Sequence, residues 1–509
     1  MKIAIIYLFL IISTTITGQS PNILWEQTYG GGQMDKAYSV FKDMSENLWI
    51  TGEASSDALL FSIDSIGNQN WIRIFGGTTG LEQGSSIIQN YEGNLIFAGY
   101  ASSNDGDVVG LHDRFDYWVV CVDTTGTLLW QKCLGGSGND FGNSIIQTSD
   151  SCYIVFGHVE SNDYDVTTYY GINDLWLAKI NSSGTILWRR TYGGSEREIP
   201  GKILQTSDGG YIFCGSSQSF DHDVSNNYGG YDVWVVKINS TGGIVWEKNY
   251  GGSGIDGARD IIKANDGGYY LVGNTSSADQ DITDPKGAGD ILAMKIDSNG
   301  TLLWSRCLGG SFNEEGNSGC STINGVEIVG YTTSNDSDIV GNHGMMDVAV
   351  FELDDSGILL WSKCLGGSNL EVGNSVITTN DGGSVIAGYT LSSDGDIGTP
   401  NAGNSQAWIV KLAPTPLSIV TPKQNSIELL SYNLDSKSIN LKFNSSVSDI
   451  IEIQLYDIDG RLKFGQSEKI SNGHNNFSYD IDIIPGVYIL NVKGNILNLN
   501  RKIGFKQNY

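Results

Sequence analysis

The segment from Trp188 to Ser195 reads WRRTYGGS, and the same arrangement recurs as WQKCLGGS from Trp130 and as WSKCLGGS from Trp361. Seven tryptophans open such segments, at spacings of 46, 59, 58, 58, 58 and 57 residues: Trp25, Trp71, Trp130, Trp188, Trp246, Trp304 and Trp361. A nearly constant period is typical of one supersecondary unit copied in tandem. The repeat therefore determines the architecture of most of the 509 residues.

One copy of the repeat predicts four short strands. Residues 202–206, 211–215, 233–238 and 243–249 are strand-like, and 216–231 form a long polar loop. The remaining connections, Ser207 to Gly210 and Asn239 to Gly242, are tight turns rich in Gly, Asn, Asp and Ser. Four strands joined in order make an antiparallel meander, so seven copies predict an all-β fold, a seven-bladed β-propeller over residues 19–413.

The two ends of the repeat array predict how the ring closes. The last third strand, Trp408 to Leu412, is not followed by a fourth strand. The first strand, Ile23 to Trp25, is a fourth strand with nothing before it. We therefore expect the N-terminal strand to complete the last blade, which also removes an exposed sheet edge.

A second pattern supports the same fold. Asp123-x-x-Gly126-x-x-x-Trp130 has counterparts before five other anchor tryptophans, with Asn181 and Asn239 in place of Asp in two of them: Trp71, Trp188, Trp246, Trp304 and Trp361. It resembles the tryptophan-docking repeat of quinoprotein-type propellers over residues 22–412. The resemblance implies that the seven tryptophans pack between neighbouring blades, a structural role. No matching set of quinone-holding residues is found, so a bound quinone is not expected.

The N-terminus and the charge limit the compartment and the partners. Residues 1–18 have a Lys near the start, an apolar run from Ile3 to Ile12 and a small residue, Gly18, at the end, which predicts a secretory signal peptide. No later stretch is apolar enough to span a bilayer, so we expect no transmembrane segment in the mature chain. A net charge of −27 argues against nucleic acid as a partner.

The cysteines look like packing residues. Cys133, Cys307 and Cys364 each stand three residues after an anchor tryptophan, at a position where other copies have Thr191 and Asn249. A position that accepts these residue types indicates a small packing site. A disulfide between Cys121 and Cys133, on successive strands, is the alternative.

The long loops carry recurring carboxylates. Connectivity places them on one face of the disc, the long-loop face, opposite the tight turns, and binding residues tend to lie on such loops. Closely spaced carboxylates can bind Ca²⁺, the one cofactor that the sequence suggests. The alternative is that they cap turns, and regular repetition favours capping. The candidate calcium ligands are Asp105, Asp107, Asp116, Asp163, Asp165, Asp174, Asp221, Asp223 and Asp232.

The same loops offer candidate ligand-binding residues. One position, six residues before the third-strand anchor, holds His112, Tyr170, Tyr228 and His343 in four copies. Variation at a regular position fits a ligand-facing site, and Tyr can stack on sugars or peptides. Solvated loop tips would explain the same pattern.

The C-terminal segment is a separate region. Residues 414–416 form a Pro-containing linker, and residues 417–509 contain 10 Lys and Arg and 9 Asp and Glu, with strand patterns that predict a small β-sandwich. Residues 455–461, residues 485–490 and the basic end resemble the C-terminal sorting domain of the type IX secretion system of Bacteroidota. The motif residues are Asp457, Gly460, Pro485, Gly486, Tyr488, Lys502 and Lys506. The resemblance implies passage through the periplasm to the cell surface or medium, with the type IX machinery as a partner.

Three functions remain open from the sequence. The first is a secreted or surface-displayed propeller that binds carbohydrate or protein without catalysis. The second is a glycoside hydrolase or lyase that uses acidic residues of the long-loop face, although the sequence contains no HExxH or G-x-S-x-G motif. The third is a structural surface protein.

Overall fold

A computed structural model of the chain describes residues 19–31, 34–398, 404–415, 427–434, 438–445, 449–458, 460–471, 473–481, 486–493 and 498–505. Contacts between residues divide the chain into two compact units, Met1–Pro416 and Leu417–Tyr509. The expected signal peptide at 1–18, Pro416 of the linker, and Pro485 and Lys506 of the sorting motif lie outside the described residues. Within the described ranges, no helix is long and apolar enough to cross a membrane.

The first unit consists of four-stranded antiparallel sheets, the blades, whose strands follow chain order. Blades 1 to 3 contain β2 (Asp35–Lys42), β3 (Leu48–Ala54), β4 (Asp57–Ile63), β5 (Gln69–Phe75), β6 (Glu82–Gln89), β7 (Leu95–Ala101), β8 (Asp116–Val122), β9 (Leu128–Leu134), β10 (Phe141–Gln147), β11 (Tyr153–Val159), β12 (Asp174–Ile180) and β13 (Ile186–Tyr192). Blades 4 to 6 contain β14 (Glu198–Gln205), β15 (Tyr211–Ser217), β16 (Asp232–Ile238), β17 (Ile244–Tyr250), β18 (Asp256–Lys263), β19 (Tyr269–Thr275), β20 (Asp290–Ile296), β21 (Leu302–Leu308), β22 (Glu314–Ser321), β23 (Gly325–Thr332), β24 (Asp347–Asp354) and β25 (Leu359–Leu365).

Blade 7 closes the ring as expected. It contains β26 (Glu371–Thr378), β27 (Ser384–Thr390), β28 (Gln406–Leu412) and the N-terminal strand β1 (Ile23–Tyr29). β1 pairs antiparallel with β28, from Ile23 opposite Leu412 to Tyr29 opposite Ala407. The predicted seven-bladed propeller, sealed by its first strand, is confirmed.

The first strand of each blade begins earlier than the sequence pattern predicts and contains an irregularity. In blade 4, β14 starts at Glu198 rather than at Lys202. In blade 3, the register of β10 shifts between Gly142 and Ser144, and the first strands of the six remaining blades have such a shift as well. A bulge leaves one residue outside the ladder and re-aims its side chain. These bulged residues line the centre of the propeller.

The third strands form the core between blades. All seven residues of β12 are buried, and Trp176 packs edge-on against Tyr117 of the preceding blade, with 5.1 Å between ring centroids. The corresponding Trp118, Trp234 and Trp408 are also buried. Large aromatic side chains remove a great deal of apolar surface from water, so this contact stabilises the junction between blades 2 and 3.

The anchor tryptophans lie on the outer strands and contact the next blade. The indole N–H of Trp71 donates to the carbonyl of Thr124 at 3.0 Å, and that of Trp25 donates to Ser65 at 3.1 Å. Gly126, at a φ of 80°, lies where a side chain would meet the Trp71 ring. Gly at the turn therefore allows both the left-handed backbone and the close approach of the indole.

One junction differs from the others. After β28 the chain leaves blade 7, so the described residues offer Trp361 no third-to-fourth-strand turn. Its indole N–H instead donates to Glu352 of its own blade at 2.5 Å, and Thr415 donates to the same carboxylate at 3.0 Å. Closing the ring with the first strand thus removes one copy of the tryptophan contact.

The second unit is a β-sandwich. One sheet has the order β29 (Ile427–Leu434), β30 (Ser438–Ser445), β33 (Gly473–Asp480); the other contains β32 (Leu462–Ile470), β31 (Asp449–Asp457), β34 (Gly486–Lys493) and β35 (Asn498–Phe505). Buried apolar residues of both sheets meet in one core, among them Leu441 and Phe443 from the first and Ile453 and Leu490 from the second. The predicted sandwich is confirmed.

The suggested disulfide is wrong. The register of β8 and β9 places Cys121 opposite Trp130, and Cys133 opposite Trp118. All seven cysteines, which lie within the described residues, are free, and Cys133, Cys307 and Cys364 are buried as the packing interpretation predicts.

Candidate functional site

The predicted long-loop carboxylates hold the loops of the long-loop face together. In blade 3, the backbone N–H of Ser137 donates to Asp163 at 2.8 Å, and the Asp165 N–H donates to the carbonyl of Gly135 at 2.9 Å. Asp105 and Asp107 make the same contacts with Thr78 and Gly76, and Asp221 and Asp223 make them with Ser195 and Gly193. Each Asp-x-Asp pair thus joins the long loop to the Gly-Gly segment that leads into its blade.

The third recurring carboxylate starts the third strand and faces a second acid. Asp116 accepts a hydrogen bond from the backbone N–H of His112 at 2.9 Å, as Asp174 does from Tyr170 at 2.5 Å and Asp232 from Tyr228 at 2.5 Å. The other oxygen of each is buried without a hydrogen-bond partner among the described residues.

Two carboxylates meet at the first Gly of six Gly-Gly pairs, whereas at Gly30 the neighbouring carboxylate is that of Asp35 alone. A Cβ added to Gly135 would lie 2.6 Å from Asp140 and 2.9 Å from Asp116. Burial raises the pKa of Asp140 to about 6 and that of Asp232 to about 6. Burial, with a further contribution from Glu198, raises the pKa of Asp174 to about 7. Two buried carboxylates that face each other cannot both ionise easily, so such pairs favour holding a proton.

These contacts are those that the capping interpretation predicts. In the part of the chain that the structure describes, no group of three or more His, Cys, Asp or Glu side chains is placed to hold a metal ion. The calcium hypothesis for these loops stays a prediction.

Two of the four predicted ligand-binding residues, His112 and Tyr170, connect neighbouring long loops. His112 lies 4.7 Å from Tyr164 of the next loop, measured between ring centroids, and its Nδ1 lies 2.8 Å from Asp116. Tyr170 stacks on His222 of the next loop at 4.9 Å. His343 is within 2.8 Å of Asp347 in its own loop, and Tyr228 is partly exposed. They are therefore distributed over four blades, in local contacts.

A different set of residues converges on the propeller axis. The bulged positions of the first strands line a cavity of about 160 Å³, which we call the channel pit. Three asparagine amides bridge consecutive blades there: Asn143 donates to Gly201 at 2.6 Å, Asn317 to Gly373 at 2.9 Å, and Asn374 to Ala37 at 2.8 Å. The lining comes from all seven blades: Tyr38, Gln83, Ser85, Asn143, Pro200, Lys202, Arg259, Asn317 and Asn374.

Above the pit, toward the long-loop face, half-buried tyrosines and charges form the channel mouth. The phenol of Tyr38 donates to Glu53 at 3.0 Å, and that of Tyr331 donates to Glu315 at 2.6 Å. Burial, together with the adjacent Glu53, raises the pKa of Tyr38, so this phenol keeps its proton. We call Tyr38, Tyr100, Tyr331 and Tyr389, which lie on four consecutive blades, the tyrosine arc.

The charges of the mouth are balanced. Lys36 lies 3.7 Å from Glu53, with its ammonium 5.6 Å from the centre of the Tyr389 ring. Arg259 pairs with Glu315. A chain with a large negative charge therefore has a nearly neutral, aromatic entrance to its axis.

Below the pit, one residue from each blade forms the channel belt. Five of its members are serines, and most accept a hydrogen bond from the next blade; for example, the Ile145 N–H donates to Ser86 at 3.3 Å. The other two are charged: Lys202 donates to Asp260 at 2.8 Å and to Ser318 at 3.2 Å. The seven members are Ser39, Ser86, Ser144, Lys202, Asp260, Ser318 and Ser375. Beyond them a second cavity of about 420 Å³ has a mainly aliphatic lining.

Sequence reasoning missed the mouth, pit and belt. The signal was available: Lys202 and Asp260 stand at a position where the other copies have Ser, and Arg259 stands where three copies have Asn. Without the bulge, however, the pattern does not indicate which side chains face the axis.

Comparisons with known proteins show the fold alone. The first unit is similar to virginiamycin B lyase from Staphylococcus aureus, with 12% identity over 76% of this chain and 98% of that chain, at a TM-score of 0.42. It is also similar to the polysaccharide lyase Uly1, with 10% identity, coverage of 79% and 94%, and a TM-score of 0.42, and to Drosophila Plexin A in complex with Semaphorin 1b, with 8% identity, coverage of 78% and 88%, and a TM-score of 0.43. No protein-family model and no curated protein sequence matches the chain.

Proposed function

We propose that the protein is a secreted or cell-surface module that binds carbohydrate in the channel mouth without catalysing a reaction. The observation that carries the proposal is the tyrosine arc beside Glu53 and Glu315. Aromatic rings present flat apolar surfaces, and phenols, carboxylates and guanidinium groups around them can bind hydroxyl groups. Saccharides combine both kinds of surface.

The lining of the pit favours a sugar over a protein segment. Its side chains are amides, hydroxyls and charged groups, with Pro200 as the one aliphatic ring. Protein–protein hot spots are usually buried aromatic or apolar anchors in well-packed pockets. A polar pit accepts hydroxyl groups more readily than an apolar side chain.

The test is binding of the mature chain to a glycan panel, with analysis for products. We expect binding without new reducing ends, and we expect Tyr331→Ala to abolish it. The matched control is Tyr91→Ala, because Tyr91 is 69% exposed in a tight turn on the opposite face. Equal loss in both variants, or no loss in either, would contradict the assignment of the mouth.

A carbohydrate-active enzyme is the second candidate, because two carboxylates at the mouth differ from their counterparts. Glu53 stands where the next blade has Tyr100, and Glu315 stands where blade 1 has Lys36. A pair of acids on either side of a glycosidic bond is what glycoside hydrolysis needs. New reducing ends that disappear in Glu53→Gln would favour this candidate.

We also propose that the second unit directs export through the type IX secretion system. The sequence resemblance supports this, as does the turn at Asp457, where the Gly460 N–H donates to the Asp457 carbonyl at 3.0 Å and the Arg461 N–H donates to its carboxylate at 2.9 Å. Gly486 and Tyr488 belong to β34, and Lys502 to β35. If a chain without residues 417–509 still reached the medium, the sorting role would be wrong.

We further propose that the propeller is related to quinoprotein-type propellers through its tryptophan-docking repeat. The contacts of Trp25, Trp71 and Trp304 with the next blade support the relationship. The role is structural, so Trp71→Ala should lower the melting temperature without changing glycan binding in the folded protein.

A further inference from the structure

The channel belt lies between the pit and the aliphatic cavity, and Lys202 lines both. Its two charged members, Lys202 and Asp260, form an ion pair at 2.8 Å where the other copies have small hydroxyls. The same Asp260 oxygen accepts hydrogen bonds from the Ser318 hydroxyl at 2.9 Å and the Gly319 N–H at 3.0 Å. Asp260 is 3% exposed. Three donors thus hold the Asp260 carboxylate in place, at the level where the polar pit meets the aliphatic cavity.

The position and size of the pit restrict what can enter. All seven blades surround it, so the way in from the long-loop face is along the axis, past the tyrosine arc. A cavity of about 160 Å³ is small for a ligand site, because typical ligand pockets measure roughly 300–1,000 Å³. A polymer that lay across the mouth would place no sugar ring in the pit. A polymer that entered end-on would place its terminal unit there.

We infer that the pit binds the terminal unit of a saccharide chain, so that the protein recognises chain ends rather than internal segments. The inference rests on the proposed carbohydrate function of the mouth. The terminal sugar would lie among the amides of Asn143, Asn317 and Asn374, with Lys202 and Arg259 as charged donors. Hydrogen bonds from charged donors are stronger than those between neutral groups, so these two residues should contribute most to the affinity.

The test compares intact polysaccharides with the same polysaccharides after partial acid hydrolysis, immobilised at equal mass. The mature chain should bind in proportion to the number of chain ends. Binding that follows mass and ignores chain ends would overturn the inference and leave the proposed function standing. Binding to no polysaccharide in either form would overturn the proposed function, and the inference with it.

Variants of the belt test the inference. The double variant Lys202→Ser with Asp260→Ser restores the residue of the other copies and should weaken binding of hydrolysed chains about tenfold, because a charged donor is lost. The exchange variant Lys202→Asp with Asp260→Lys keeps a pair across the channel and should retain the preference for ends. Melting curves check that both variants fold. An unchanged affinity and preference in the folded double variant would contradict the inference.

Discussion

The long-loop face of the propeller repeats the same contacts from copy to copy, whereas the axis carries residues that differ between copies. On the long-loop face, copy after copy places a carboxylate on the same backbone groups, as Asp163 does with Ser137 and Asp221 does with Ser195. Along the axis, equivalent positions carry different residues, such as Ser144, Lys202 and Asp260. The contacts of the long-loop face repeat because every long loop meets its Gly-Gly segment in the same geometry, whereas the proposed saccharide would meet each blade once on the axis.

This comparison predicts that the contacts repeated from copy to copy stabilise the fold. It also predicts that the axis positions where the copies differ carry the proposed saccharide binding. Stability effects should therefore be large where copies agree and small where they differ. The variants below test that division.

Removal of the closing strand should have the largest effect. Deletion of β1 leaves β28 paired with β27 on one side and exposes its other edge from Ala407 to Leu412. We expect loss of the cooperative melting transition or aggregation, because an exposed edge strand is a template for pairing with other chains. The control removes Gln19 and Ser20 alone and should melt like the parent. A monomeric protein with a normal transition after deletion of β1 would show that closure is not needed.

A methyl group added where two carboxylates meet should have the second largest effect on stability. Gly135→Ala places a methyl group 2.6 Å from Asp140 in a buried site, and overpacking of this kind costs about 1 to 3 kcal/mol. Gly31→Ala is the matched control: it lies in the equivalent Gly-rich segment of blade 1, with open space around the added atom. Urea denaturation measures both free energies of unfolding. If the two variants unfold alike, the carboxylate junction is not the tight contact that its geometry indicates.

The paired carboxylates should make stability fall as the pH rises. Burial raises the pKa of Asp174 to about 7 and that of Asp140 to about 6, above the ordinary 3.8, so the folded state binds protons more tightly than the unfolded state. Stabilisation from these groups is complete below pH 3.8 and is lost as the pH rises through 6 to 7. Each pKa unit corresponds to about 1.4 kcal/mol.

Asp150 and Asp381 have the opposite effect on the pH dependence of stability, and they set the low pH at which stability is lost. Hydrogen bonds and ion pairs with Lys179 and Lys411 lower the pKa of each to about 2, so their stabilisation is lost below pH 3.8. We therefore expect a higher melting temperature at pH 5 than at pH 8. Asp174→Asn keeps the shape of the site and removes one proton-binding group, so it should reduce the difference. A melting temperature that rises from pH 5 to pH 8 would rule out proton sharing at these junctions.

The sequence could predict the blades because a strand, a tight turn and a period are local properties. The seven copies follow from residues that are close along the chain, and the closure by Ile23–Tyr29 follows from the count of third and fourth strands. The contact of Asp163 with Ser137 spans 26 residues, and its structural role was indicated by the repetition of the Asp-x-Asp pattern. The carboxylate pairs could not be predicted, because Asp174 and Glu198 are 24 residues apart and meet only after two loops fold over the same Gly. The sequence pattern also predicts that β14 starts at Lys202, which would place Glu198 in a loop.

The axis could not be predicted for a related reason. A bulge shifts the alternation of inward and outward side chains by one residue, and no residue type in the first strands marks it consistently. Tyr38, Arg259 and Asn374 occupy the bulged position in three copies. Three members of the tyrosine arc lie on second strands, and Tyr38 lies on a first strand. These four side chains come together only when the ring is closed.

Restoring the repeat on the axis should have a small effect on stability. The double variant Lys202→Ser with Asp260→Ser removes both partners of an ion pair in which Asp260 is buried and the Lys202 side chain is 36% exposed, so little net electrostatic stabilisation is lost. Lys202→Ser alone leaves Asp260 without its cation, although Ser318 and Gly319 still donate to it, so we expect a loss of about 1 kcal/mol. Urea denaturation of the three proteins measures both effects. A double variant as unstable as the single variant would mean that this departure from the repeat serves the fold.

Chelation should have the smallest effect. The oxygens of Asp163 and Asp221 already accept hydrogen bonds from backbone N–H groups, and such contacts require no cation. We expect the melting temperature in excess EDTA to equal that in buffer, with added Ca²⁺ as the second arm. A fall in EDTA that Ca²⁺ reverses would mean that the Asp-x-Asp loops hold calcium. The long-loop face would then bind calcium as well as stabilise the fold. In that case, repetition of a residue from copy to copy would no longer show that its role is structural.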